Sequence, residues 1–223
     1  VSGGNHLIKL TYFNNAITFY ELPFNFGTTI SAMGYSPANT LNRYVLTENG
    51  YFYYSLDAGQ NWTPSPTFTG VQPQYFYGSS IYAFNLDPNI VLIGGSGYSN
   101  SPIYISYNNG NTFTEFSMGI PNTLVYDICG TDNDDLLFAA TELGPYVYSE
   151  FEQEWLYLGG LSAPDQTYWS CEYISNLNTV RFGTYGRGIW DFVLDDNYNI
   201  NLGDVNLDNV VNIQDIIIII NFI

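Results

Sequence analysis

The stretch GDVNLDNVVNIQD, Gly203 to Asp215, carries the densest chemistry in the sequence. Counted from Asp204, the residues Asp204, Asn206, Asp208, Val210, Asn212 and Asp215 fall at positions 1, 3, 5, 7, 9 and 12. A Ca2+ ion takes six to eight hard oxygen ligands, and this spacing offers side-chain oxygens everywhere except position 7, where a backbone carbonyl serves. The competing reading is an acidic, Asn-rich linker. A linker has no reason to keep this register or to run into the apolar stretch Ile216 to Ile220. The expectation is a calcium loop that leads into a short helix, with Ca2+ as cofactor.

Other residues offer weaker chemistry. Two facing carboxylates can hydrolyse a glycosidic bond, and Asp127, Asp165 and Glu172 lie near expected strand ends. No motif surrounds any of the three, and solvated loop acids are the competing reading. Tyr168, Trp169 and Tyr185 could stack on sugar rings beside Arg187, although aromatic residues in such places also pack sheets together. Arg43, Arg181 and Arg187 are the only arginines. His6 is the only histidine; a multi-histidine metal site is excluded, as is a Ser-His-Asp triad without it. Cys129 and Cys171 match no zinc or redox spacing.

The elements that position these residues are strands. In 223 residues, acidic groups outnumber basic ones 21 to 4, and the net charge of −17 repels phosphate backbones and anionic membranes. Only 11% of residues are charged, whereas Tyr alone numbers 21. That mixture, with abundant Asn, Thr, Ser and Gly, suits β-surface and polar turns. No apolar run reaches the roughly 18 residues of a membrane span. The start, VSGGNHLIKL, has neither an initiator Met nor a signal peptide, and its entry in mid-unit suggests a piece of something longer.

A repeat runs through the chain. TENGYFYYSLDAGQNW, SPIYISYNNGNTF and TELGPYVYSEFEQEW share a turn, an aromatic strand, a Ser, a second turn and an aromatic residue. Their marker serines, Ser55, Ser106 and Ser149, are 51 and 43 residues apart, and Thr141 to Thr184 is again 43. Periods of this size with several strands each indicate propeller blades. GTYGRGIWDF keeps the strand but loses the second turn. Cys129 and Cys171 lie 12 and 13 residues before Thr141 and Thr184, so they occupy similar places in successive blades, bonded or free.

SLDAGQNW and SYNNGNTF resemble the Asp box, Ser-x-Asp-x-Gly-x-Thr-Trp, with Asn61 for Thr in the first and Asn108 and Phe113 for Asp and Trp in the second. The chain is thereby similar to Asp-box (BNR, sortilin-like) β-propellers: sialidases, sortilin-like receptors and xyloglucan-degrading endoglucanases with their secreted relatives. The resemblance implies an all-β fold of four-stranded antiparallel blades over residues 1–197, about four to five units; since such propellers usually have more, either the chain begins inside a larger propeller or the missing blades come from elsewhere. Sialidase chemistry would need an arginine triad, and the three arginines with no Arg-Ile-Pro segment do not supply it.

The calcium loop resembles an EF-hand loop, with Asn209 for the usual Gly and Asp215 for the usual Glu. With the helix that follows, residues 198–223 resemble half of a type I dockerin. That resemblance implies a cohesin-like or self partner gripped by Ile213, Gln214, Ile217 and Ile220. The sequence thus points to a secreted or cell-surface, calcium-binding propeller that acts in binding or assembly. The alternatives are a polysaccharide-degrading hydrolase fragment and a self-assembling surface protein.

Overall fold

The computed structural model describes residues 4–69, 77–96, 98, 100–160 and 163–194. The expected calcium ligands Asp204 to Asp215, and the partner-facing Ile213, Gln214, Ile217 and Ile220, lie outside them. The chain divides into two units, Val1–Phe192 and Val193–Ile223, and the first is described here.

Among the described residues, seventeen strands form five antiparallel sheets. A hairpin, β1 (Ile8–Phe13) and β2 (Ala16–Glu21), comes first. The second sheet is β3 (Ile30–Tyr35), β4 (Arg43–Thr47), β5 (Tyr51–Ser55) and β6 (Thr63–Thr69). The third is β7 (Tyr77–Ala83), β8 (Val91–Ser96), β9 (Ile103–Ser106) and β10 (Thr114–Glu115). The fourth is β11 (Val125–Gly130), β12 (Leu137–Thr141), β13 (Gly144–Ser149) and β14 (Glu154–Tyr157). The last has three strands among the described residues, β15 (Tyr168–Ile174), β16 (Thr179–Thr184) and β17 (Ile189–Val193). Strands pair in chain order within every sheet. One 3-10 turn, Ser175–Leu177, is the only helical element among the described residues.

The second strands explain why alternation is weak in the sequence. β4, β8 and β12 lie between neighbouring sheets and are buried on both faces. Val91 and Ile93 of β8 pack with Leu46 and Phe52 of the sheet before, while Leu92 packs with Val125, Ile128 and Trp155 of the sheet after. Gly78 makes the close approach possible, since a Cβ there would sit 2.0 Å from Leu46 Cδ2. The first strands β3, β7, β11 and β15 contact one another in sequence, so the sheets are arrayed with their first strands together.

Each first strand carries one irregularity in the same place. Pairing slips between Ile30 and Ala32, Gly78 and Ser80, Val125 and Asp127, and Tyr168 and Ser170. The skipped residues are Ser31, Ser79, Tyr126 and Trp169. A bulge frees one residue from the ladder and re-aims its side chain.

The turns between third and fourth strands are local staples. Ser55 Oγ donates to Asp57 Oδ1 at 2.7 Å and accepts from the Gly59 N–H at 2.9 Å. Asp57 accepts from the backbone N–H and the side-chain amide of Asn61 at 2.9 and 2.7 Å. Ser106, Asn108, Gly110 and Thr112 repeat the arrangement one sheet later. In the fourth sheet Gln153 takes the left-handed conformation, φ 57°, that Gly59 and Gly110 take in theirs. Phe151, where the others have Asp57 and Asn108, is 94% exposed.

Candidate functional site

Within each sheet, successive turns lie at opposite ends of the strands, which places the second-to-third-strand turns away from the Ser-Asp staples. At that end, the bulged residues of β11 and β15 meet. The rings of Tyr126 and Trp169 lie 4.3 Å apart between centroids, tilted by 43°. Tyr185, in the turn between β16 and β17, adds a third ring 6.2 Å from Trp169. Trp169 is 48% and Tyr185 72% exposed. In β3 and β7 the corresponding residues are Ser31 and Ser79, whose hydroxyls turn inward to the carbonyls of Leu46 and Gly94. The seam between the fourth and fifth sheets therefore presents an aromatic surface where the earlier sheets present none from this position.

Two polar groups border it. Tyr98 donates to Glu142 Oε2 at 2.7 Å. Glu142 follows β12 directly, and its backbone is tied in by the Leu124 carbonyl and by Thr167. The hydrogen bond to Glu142, with lesser burial, raises the Tyr98 phenol, and burial, then the Glu142 charge, raises that of Tyr126. Both phenols remain neutral donors at neutral pH.

The expected site residues separate here. Tyr168 is fully buried, its ring edge-on to Phe182 and its hydroxyl on the Pro164 carbonyl at 3.0 Å. It is a core residue, which corrects its assignment to a ligand surface. Adjacent strand residues point to opposite faces, and Trp169 takes the outward one. Arg187 is exposed in the Tyr185 turn, where its carbonyl accepts from Trp190 Nε1 at 3.1 Å. Arg181 is engaged by Asp191 through two 2.7 Å contacts, and Arg43 lies over the Tyr35 ring at 5.4 Å. His6 faces Glu21 at 3.7 Å.

Asp127 and Glu172 share a hollow of about 370 Å³ with Ser170, Cys171, Arg181 and Ile189. Asp127 bridges three strands, accepting from Cys171 N at 3.2 Å, Ser80 Oγ at 3.1 Å and Ile128 N at 3.0 Å. Burial outweighs those bonds and raises its pKa. Asp165 accepts from the Tyr157 hydroxyl. No group of three or more metal-ligating side chains occurs among the described residues.

No protein-family model matches the sequence, and no curated protein does. Solved structures do match. The extracellular domain of BT4673 from B. thetaiotaomicron, described as a one component system, aligns with TM-score 0.63 at 18% identity over 84% of this chain and 24% of that one. A Niastella koreensis GH74 enzyme aligns at 0.63 and 17% identity, over 85% and 32%. An ancestral GH74 enzyme follows at 0.55 and 13%, over 80% and 33%. The sheets are propeller-type blades. The chain spans a quarter to a third of the length of these structures, and at such identities the likeness speaks for the fold alone.

Tyr126, Tyr98 and Glu142 were not singled out in the sequence. Aligning the first strands as ISA, GSS, VYD and YWS would have marked Tyr126 as the counterpart of Trp169. No local signal joins Tyr98 to Glu142, 44 residues away.

Proposed function

We propose that the chain is a secreted or cell-surface propeller segment that binds a neutral polysaccharide across the seam between its fourth and fifth sheets. The carrying observation is the Tyr126, Trp169 and Tyr185 surface. Aromatic faces cover the C–H faces of sugar rings, while Glu142 and the tyrosine hydroxyls bind sugar hydroxyls. The net charge of −17 disfavours uronate or sulfated chains. The likeness to an extracellular domain and to GH74 enzymes is consistent with this reading, as is the resemblance to Asp-box propellers. Affinity electrophoresis tests it: gels that contain xyloglucan or another neutral β-glucan should retard the chain, and gels with a polyuronate should not. Equal mobility in all gels contradicts the proposal.

The terminal residues 198–223 belong to the same proposal as a calcium loop and docking helix that join the propeller to a cohesin-like partner or to a second copy. The support is the ligand spacing from Asp204 to Asp215. Light scattering with Ca2+ and then with chelator tests the self-assembly form; a monomer in both conditions leaves only a foreign partner.

Hydrolysis is the second reading, favoured by the hollow that holds both Glu172 and Asp127, a carboxyl whose raised pKa suits a proton donor. A reducing-sugar assay on the same glucans decides it. Release of ends by the wild type, lost in Glu172→Gln, would establish catalysis.

A further inference from the structure

The seam that carries the aromatic surface also holds a pair of thiols with no part in it. Cys129 on β11 and Cys171 on β15 occupy matching places, each opposite a phenylalanine of the second strand, Phe138 and Phe182. Both thiols are free and buried. Asp127, two residues before Cys129 and so on the same side of β11, accepts from the Cys171 backbone N–H at 3.2 Å. Cys171 Sγ lies 3.8 Å from the carbonyl of Phe138, the cross-strand neighbour of Cys129. The two cysteines hold matching places on adjoining strands, with the backbone of one tied to the side chain beside the other.

We propose that Cys129 and Cys171 form a redox pair that closes as an inter-sheet disulfide when the folded chain meets a thiol–disulfide exchange partner. One cysteine thiolate attacks a sulfur of the partner's disulfide, breaks its S–S bond and expels one thiolate. The second cysteine attacks the mixed disulfide and expels the other. Two cysteine thiols are oxidised to one disulfide, the partner's disulfide is reduced to two thiols, and the cysteine protons pass to the departing thiolates. Cys171 lines the hollow at this seam, which gives a small disulfide its route in. Burial, then Cys129 and Asp127, raises the Cys171 pKa, so the supply of thiolate limits the exchange and higher pH speeds it. The bridge ties β11 to β15, the two strands that present Tyr126 and Trp169.

The test uses the folded chain and oxidised glutathione at about pH 8.5, followed by acid quench, alkylation in denaturant, mass measurement and peptide digestion. The expected result is no alkylation, one peptide pair linked through Cys129 and Cys171, and two alkylations after reduction. The oxidised chain should also unfold roughly 5–10 °C above the reduced chain, a difference absent from Cys129→Ser. Two alkylatable thiols after oxidant treatment, or separate glutathione adducts with no linked peptide, would overturn the proposal. The mass result on the wild type stands even if a serine variant folds poorly.

Discussion

Asp57 and Asn108 hold the same place in successive turns, and their partners change with them. Asp57, which only accepts, faces the side-chain amide of Asn61, a donor at 2.7 Å. Asn108, which can donate, faces Thr112 Oγ1 at 2.8 Å. Each turn departs from the common pattern at one of these two places, and each departure keeps a donor opposite an acceptor. The Asn61 backbone bond, then the Asn61 side chain and Ser55, lower the Asp57 pKa to about 2. A depressed carboxylate stabilises the fold above its unfolded pKa of about 3.9, and this contribution is lost as pH falls through the folded value. The wild type should therefore lose more Tm than Asp57→Asn between about pH 4 and pH 2. Parallel pH profiles for the two proteins would show that Asp57 does not contribute in this way. This chemistry was legible in the sequence because all of it falls within eight residues, Ser55 to Trp62.

At the scale of the element, Gly59 and Gly110 look interchangeable in sequence and differ in their surroundings. Both have positive φ, 88° and 87°. A Cβ on Gly59 would lie 3.3 Å from the Trp62 ring, within its own turn, whereas one on Gly110 would lie 2.2 Å from Phe52 Cε1 in the neighbouring sheet. Phe52 is fully buried and cannot yield. Gly59→Ala should cost about 1 kcal/mol, chiefly for backbone strain, and Gly110→Ala about 2–4 kcal/mol. Urea unfolding measures both, and equal costs would place the Gly110 turn away from Phe52 and the second sheet. The blades themselves were legible because the repeat marks them: three fuller units, a leading hairpin and a last unit with three described strands. The bulges were not. One added residue breaks the period-2 pattern of a first strand, so Tyr168 and Trp169 exchange the faces that simple alternation would assign, and only the register of β15 on β16 separates core from surface.

At the scale of the molecule, charge and the aromatic surface make separable predictions. A net charge of −17 gives a repulsive field that salt screens, while stacking on neutral sugars carries no such dependence. Retardation by a neutral glucan should be unchanged between about 0.05 and 0.5 M NaCl; a marked loss in salt would point to a charged ligand. The seam was the hardest feature to read from sequence, because it joins Tyr98, Tyr126, Glu142, Trp169 and Tyr185 from different blades. Such contacts depend on how sheets are arrayed, which no local pattern encodes.

The most direct test of the central claim is a tryptophan-fluorescence titration with a soluble neutral β-glucan, wild type beside Trp169→Ala. Because Trp169 is half exposed, its removal should leave the fold intact, as an unchanged Tm would verify. The account predicts a saturable change for the wild type and an affinity weaker by about tenfold or more in Trp169→Ala, the loss of one well-placed aromatic contact. No saturable change in the wild type, or equal affinity in both proteins, would contradict it.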